Sequence, residues 1–283
     1  MSEDGKPKIA IIGPGVMAEA IIGGLLRKAV TTPDCIIASG PSVTRVEELQ
    51  ANYGLQPFTD NAAAVNQVDV VILSVKPQRL SRVLKGLAGH IPPQALVLSI
   101  VAGASIQSIS SGLQHNIVVR AMPNTPAQIG EGVTVWTCAE AATPAQRELA
   151  RSIVDSLGSE VFVEEENYLD MATAVSGTGP AYVFLFMEAM IDAAVHLGFP
   201  RRIAEQLVVQ TLRGSVDYYI YKKSHVARLR NEVTSPGGTS AEALYYLEKA
   251  GVRTAISRAI WAAYERSREL GSGKEAAAPN GKN

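Results

Sequence analysis

KIAIIGPGVMAEAIIGGLL, residues 8–26, carries the signal that decides the fold. The run Ile9, Ala10, Ile11, Ile12 is apolar at every position, as suits a strand covered on both faces. Met17, Ala20, Ile21, Gly24 and Leu25 then recur at helical spacing. Between strand and helix, Gly13, Gly15 and Ala18 spell GxGxxA. The first glycine permits a tight turn, the second lets backbone approach a pyrophosphate, and the small alanine lets helix and strand pack closely. Ile12, Gly13, Pro14, Gly15, Val16 and Met17 are therefore candidate dinucleotide-binding positions, with the helix N-terminus turned to the phosphates. An incidental glycine turn is the alternative, and the strand and helix around it argue against that.

Working outward, the runs CIIAS, VDVVILSV, ALVLSIVA, NIVVRAM and GVTVW follow, separated by helical patterns, up to about Val163. This alternation predicts an α/β domain with a Rossmann-type doubly wound sheet over residues 1–165. Past Glu166 the strand signal stops, and residues 181–197, 201–221, 240–250 and 252–270 read as helices. Pro200 at a helix start and Gly198 and Gly271 past helix ends support those limits. Residues 166–271 are thus expected to be an all-helical domain for substrate binding and oligomerisation. The near-continuous apolar stretch VFLFMEAMIDAAV, residues 183–195, predicts at least a homodimer through that domain. Residues 272–283 are small and polar and read as a disordered tail.

A chain of 283 residues exceeds what one core usually fills, which agrees with two domains. With 47% hydrophobic and 19% charged residues, the composition is that of a globular protein. A net charge of -1 gives no attraction for polyanions, so no nucleic-acid partner is expected. Cys35 and Cys138 lie far apart and outside any metal-ligand cluster, so neither disulfide nor metal is expected. The longest apolar candidate, residues 183–199, is broken by Glu188, Asp192 and His196, so no membrane span is expected. MSEDGKPK lacks the apolar core of a secretion signal, and a cytoplasmic location is expected.

An NAD enzyme usually carries Asp or Glu at the end of its second strand, for the ribose 2′-hydroxyl. Here that place reads Ala38, Ser39, Gly40, Pro41, Ser42, with Arg45 following. Hydroxyls and a cation suit a 2′-phosphate, so NADPH is favoured and NADH is the weaker alternative. Arg45 taken alone reads equally as a solvated helix residue.

The segments VILSVKPQ (71–78), VVRAMPNTPAQIGEGVTVW (118–136), AVSGTGPAYVFLFMEAMIDAAVHLGFPRR (174–202) and VTSPGGTSAEAL (233–244) resemble successive signatures of the pyrroline-5-carboxylate reductases. The resemblance spans nearly the whole chain and implies NADPH-dependent reduction of 1-pyrroline-5-carboxylate to L-proline. It places Val75, Lys76 and Pro77 against the cofactor, Asn61 near the adenosine ribose, and Ala102 and Gly103 beside the nicotinamide. It also puts Asn124 in the loop that shapes the nicotinamide pocket. Each has a plain alternative: Asn61 as an N-cap, Lys76–Pro77 as a strand terminator, Asn124 as turn chemistry. For the substrate, the resemblance implies Ser176, Gly177, Ser235, Gly237, Gly238, Thr239 and Ser240. N–H groups at the start of the helix after Gly238 suit a carboxylate. Ser240 stands where the family commonly has Thr, and its hydroxyl is the candidate catalytic group, hydrogen-bonded to the substrate nitrogen.

Two other classes compete. A β-hydroxyacid dehydrogenase joins the same two kinds of domain but needs a lysine in a long helix of the second. No Lys occurs here between Ala174 and Lys222. A non-catalytic NADPH sensor has little use for the glycine-rich loop 235–240. The histidines His90, His115, His196 and His225 share no catalytic or metal spacing.

Overall fold

The computed structural model describes residues 5–271, so the tail expected at 272–283 lies outside the described residues. Helices and strands alternate as β1 (Ile9–Ile12), α1 (Val16–Arg27), β2 (Ile36–Ser39), α2 (Val43–Tyr53), β3 (Gln56–Phe58), α3 (Asn61–Ala64), β4 (Val70–Leu73), α4 (Pro77–Leu87), β5 (Leu96–Ser99), α5 (Ile106–Leu113) and β6 (Val118–Met122). β7 (Gly132–Cys138), α6 (Pro144–Asp155) and β8 (Gly158–Phe162) complete a sheet ordered β3-β2-β1-β4-β5-β6-β7-β8. All neighbours are parallel except β6 and β7. From β1 the chain first runs outward to β2 and β3, then returns to β4 on the other side of β1. That reversal opens a crevice beyond the carboxyl ends of β1 and β4, where ligands bind in such sheets.

The period-2 alternation of β1 explains why every residue in it is apolar. Ile9 and Ile11 pack with Ile21, Ile22 and Leu25 of α1 on one face. Ala10 and Ile12 pack with Leu80, Leu84 and Leu87 of α4 and Ile109 of α5 on the other. Each fully buried Ile contributes roughly 1.5–3 kcal/mol relative to exposure.

The remaining elements are helical: α7 (Tyr168–Ala172), a π turn over Thr173–Gly177, α8 (Gly179–His196), α9 (Arg201–Lys222), α10 (Val226–Glu232), α11 (Thr239–Lys249) and α12 (Val252–Gly271). The chain forms two compact units, one of residues up to Thr178 and again from Ala263, the other Gly179–Ala262. The change from strand to helix near residue 166 and the division between units therefore fall at different places. The cause is a buried ion network that binds both returning segments to the sheet. Arg120 of β6, with 6% of its side chain exposed, pairs with Glu166 at 3.0 Å and Asp170 at 2.9 Å. The buried Ser267 hydroxyl, in the last turns of α12, donates to Asp170 at 2.9 Å.

In the second unit, α8 and α9 pack through Ile191, Ala204 and Val208, with Met187, Met190, Ala194 and Leu212 around them. Val183, Phe184, Leu185, Phe186, Tyr245, Tyr246 and Trp261 are exposed. The helical run Tyr168–His196 is long and apolar enough to cross a membrane by length and composition alone. The apolar stretch read from the sequence, residues 183–199, is broken by Glu188, Asp192 and His196, whereas the structural run begins earlier, through α7 and the π turn.

Candidate active site

Gly13 has φ +96, and a Cβ there would stand 2.7 Å from the Ser74 carbonyl oxygen and from Val75. Only glycine allows β1 to turn this closely against the end of β4. Gly15 differs: the space a Cβ would take is open, and α1 starts on it without a side-chain cap. Unpaired first-turn N–H groups facing open space, with Val16 exposed beside them, form a cradle that fits a diphosphate. Met17 packs on the core and fixes the helix's entry. Gly40 at the end of β2 is equally constrained, since a Cβ would run into the Pro14 ring. No side chain, carboxylate included, has room at that place.

At the end of β2, the fully buried Ser39 hydroxyl, expected at a 2′-phosphate, donates to Asn61 Oδ1 at 2.8 Å. Its role as found is to orient Asn61. The cap of α3 is Asp60, whose Oδ1 accepts from the Ala62 N–H, so Asn61 is the first helical residue rather than the N-cap. Ser42 caps α2 by accepting from the Arg45 N–H. The Arg45 side chain is not simply solvated. Nε donates to the Pro14 carbonyl at 3.0 Å, Nη1 to Glu48 at 3.2 Å, and Nη2 to Glu19. The hydrogen bond to Glu19 raises the guanidinium pKa above its ordinary value.

Along the carboxyl edge, Val75 and Pro77 are half-buried and Lys76 is exposed at the cap of α4. Ala102 is half-buried beyond β5. Gly103 has φ +74 and lies against the end of α12, where a Cβ would stand 2.7 Å from the Gly271 nitrogen. Its smallness thus serves packing of that helix end. The Asn124 side chain is used at both ends, Oδ1 accepting from the Val133 N–H at 2.9 Å and Nδ2 donating to the Ser176 carbonyl at 3.2 Å. Gly177 packs on Met122. The structure therefore gathers Met122, Asn124, Ser176 and Gly177, and the Ser176 hydroxyl donates to Ala172 O at 2.9 Å within the π turn.

The second glycine-rich loop belongs to the other unit. Gly237 has φ +70, Gly238 leads into α11 without a side-chain cap, and the Ser235 hydroxyl lies against Gly238. α11 begins at Thr239, earlier than the pattern indicated, so Ser240 sits in its first turn, half-buried. An uncapped helix start with an adjacent hydroxyl suits a small carboxylate-bearing ligand. His225 caps α10, its Nδ1 accepting from the Ala227 N–H, and His115 is buried against the Ala95 carbonyl. Among the described residues no cluster of three or more His, Cys, Asp or Glu could hold a metal.

Comparison with known proteins decides among these chemistries. A family model described as pyrroline-5-carboxylate reductase dimerisation matches residues 166–270, and one described as NADP oxidoreductase, coenzyme F420-dependent, matches residues 8–103. The pyrroline-5-carboxylate reductase of Synechocystis sp. is 44% identical over 264 residues, covering 93% of this chain and 98% of its own. The chain belongs to the pyrroline-5-carboxylate reductase family. Within that family, the Methanosarcina acetivorans enzyme is 38% identical over 265 residues, covering 93% of this chain and 98% of its own. The crystal structure of Plasmodium falciparum pyrroline carboxylate reductase with NADP bound superposes with a TM-score of 0.87 at 30% identity, covering 94% of this chain and 98% of that one.

Sequence reading missed Glu19, Glu166 and Asp170, which hold Arg45 and Arg120. The signal for Arg120 was present, as the lone charge in the apolar strand VVRAM. Its carboxylate partners, 46 and 50 residues away, had none.

Proposed function

We propose that this chain is an NADPH-dependent reductase that converts 1-pyrroline-5-carboxylate to L-proline, with NADH the weaker reductant. The observation that carries the reading is the pairing, in one chain, of an open cradle at Gly15 with an uncapped, hydroxyl-bearing helix start at Gly238–Ser240. Bound NADPH would supply the hydride that reduces the ring C=N carbon.

The chain's own groups bind and orient. First-turn N–H groups of α1 would hold the diphosphate, Asn61 would bind the adenosine ribose, and Arg45 would bind the 2′-phosphate. Val75 to Pro77 and Ala102 border the nicotinamide, whose pocket is stiffened by the Asn124 bonds. The α11 start holds the substrate carboxylate, and Ser240 Oγ hydrogen-bonds the ring nitrogen. No charged acid lies in the loop 235–240, so the substrate enters as the protonated imine or Ser240 passes a proton from water.

The exposed apolar surface of α8, α9 and α12 supports association with a second copy through residues 166–271, rather than contact with a membrane or nucleic acid. A cytoplasmic location fits such a catalyst.

The test is NADPH oxidation with 1-pyrroline-5-carboxylate, read at the reduced nicotinamide, with proline identified as product. Oxidation without proline would overturn the reading. Ser240→Ala is expected to lower kcat roughly 10- to 100-fold while leaving NADPH binding intact. Unchanged turnover would remove Ser240 from the chemistry.

A further inference from the structure

Glu19 lies in the first turns of α1, beside the phosphate cradle, and no part of the reaction described above uses it. Its carboxylate accepts from Arg45 Nη2 and, at 3.3 Å, from the Tyr53 hydroxyl. We propose that Glu19 sets the strength of the NADPH preference by competing with the 2′-phosphate for the Arg45 guanidinium. The proposal rests on the cofactor assignment made above and deepens it.

Three contacts define Arg45. The Nε bond to the Pro14 carbonyl ties the guanidinium to the glycine loop itself, independently of any acid. The Glu48 pair joins neighbours three apart on α2, with 54% of the Glu48 side chain exposed, and exposed pairs of this kind contribute little. Glu19 is the better-shielded partner, at 31%, and Tyr53 fixes it in place.

A 2′-phosphate reaching Arg45 has two options. It displaces Glu19 and forfeits that pair, or it binds beside the carboxylate and meets like charge. Both weaken NADPH. A carboxylate in the first turns of α1 also offsets the positive end of the helix that faces the phosphates. NADH presents a neutral 2′-hydroxyl at the same place and escapes the two costs at Arg45, while the offset at the diphosphate falls on both cofactors alike. Glu19 therefore acts on the difference between the cofactors, as a positioning residue working through Arg45.

Glu19→Gln keeps the size and the acceptor oxygen but removes the charge. Direct titration of NADPH and NADH, followed by protein fluorescence without substrate, should show the NADPH Kd falling roughly 3- to 10-fold. The NADH Kd should stay within about 2-fold. Glu19→Asp, which retains the charge, should keep the parent's preference. An unchanged or weaker NADPH Kd in Glu19→Gln would overturn the proposal. Arg45→Ala separates this from the cofactor reading, with an expected loss of roughly 10- to 100-fold for NADPH alone. If Arg45→Ala has that effect and Glu19→Gln has none, only the competition is refuted. If Arg45→Ala leaves NADPH binding unchanged, Arg45 is not the phosphate ligand, and both ideas fail together.

Discussion

The two units of this chain solve the burial problem in opposite ways. In the first, β1 is covered on both faces, and apolar side chains from five further strands and six helices close around it. In the second, the buried residues among those described are Ile191, Ala204 and Val208, while Phe184, Leu185, Tyr221 and Trp261 stand 61%, 67%, 81% and 62% exposed. Their compositions are similarly apolar, so what differs is where the covering surface comes from. A parallel sheet brings its own cover, because each crossover returns as a helix. A few packed helices with apolar residues all round need another surface, and a dimerisation-family match over residues 166–270 says what kind.

The second unit should be the more sensitive to a charge on its surface. Leu185→Glu places a charge on the surface that awaits a partner. Sedimentation should show the oligomer dissociating, with its Kd raised at least about 100-fold, and activity lost in parallel. A variant that stays assembled and active would place the interface elsewhere. In the first unit, Arg120→Ala strands Glu166 and Asp170 without their cation and should cost about 3–5 kcal/mol in denaturant unfolding. Ile11→Ala should cost about 2–5 kcal/mol. Both losses should be independent of protein concentration, whereas Phe184→Ala should destabilise in a concentration-dependent way, as a residue buried by association must.

The first unit was also the more legible in the sequence. Continuous apolar runs, glycine punctuation and the β, α alternation give its strands and crevice, since each signal is local. The sequence assigns Gly13 to a tight turn and Gly15 to the approach of backbone to a pyrophosphate; the structure shows a positive φ at the first and open space at the second. What stayed hidden depends on residues distant along the chain. Nothing near Ser39 announces that its hydroxyl is committed to Asn61, nothing near Asn124 that Val133 and Ser176 occupy it, and nothing near Gly103 that it receives the end of α12. The π turn at Thr173–Gly177 escaped because its Ser, Gly and Pro neighbours are also the residues of a loop.

A milder loss is expected where Gly103 meets the end of α12. The loop after β5 is held at two points. Gly103 lies against Gly271, and the Ile106 N–H donates at 2.8 Å to Glu166, itself paired with Arg120. Ser267 joins the two by holding the end of α12 on Asp170. Removing that hydroxyl by Ser267→Ala leaves the ion pairs intact, so the stability loss should be only about 1 kcal/mol. If α12's last turn merely fills space, the change ends there. If it positions Ala102 in the proposed nicotinamide site, kcat per folded enzyme should also fall a fewfold, with KM for NADPH little changed, because the proposed diphosphate cradle at α1 is untouched. The primary isotope effect with deuterated NADPH should rise accordingly, as hydride transfer becomes slower relative to product release. A lower Tm with an unaltered isotope effect would assign this contact to stability alone.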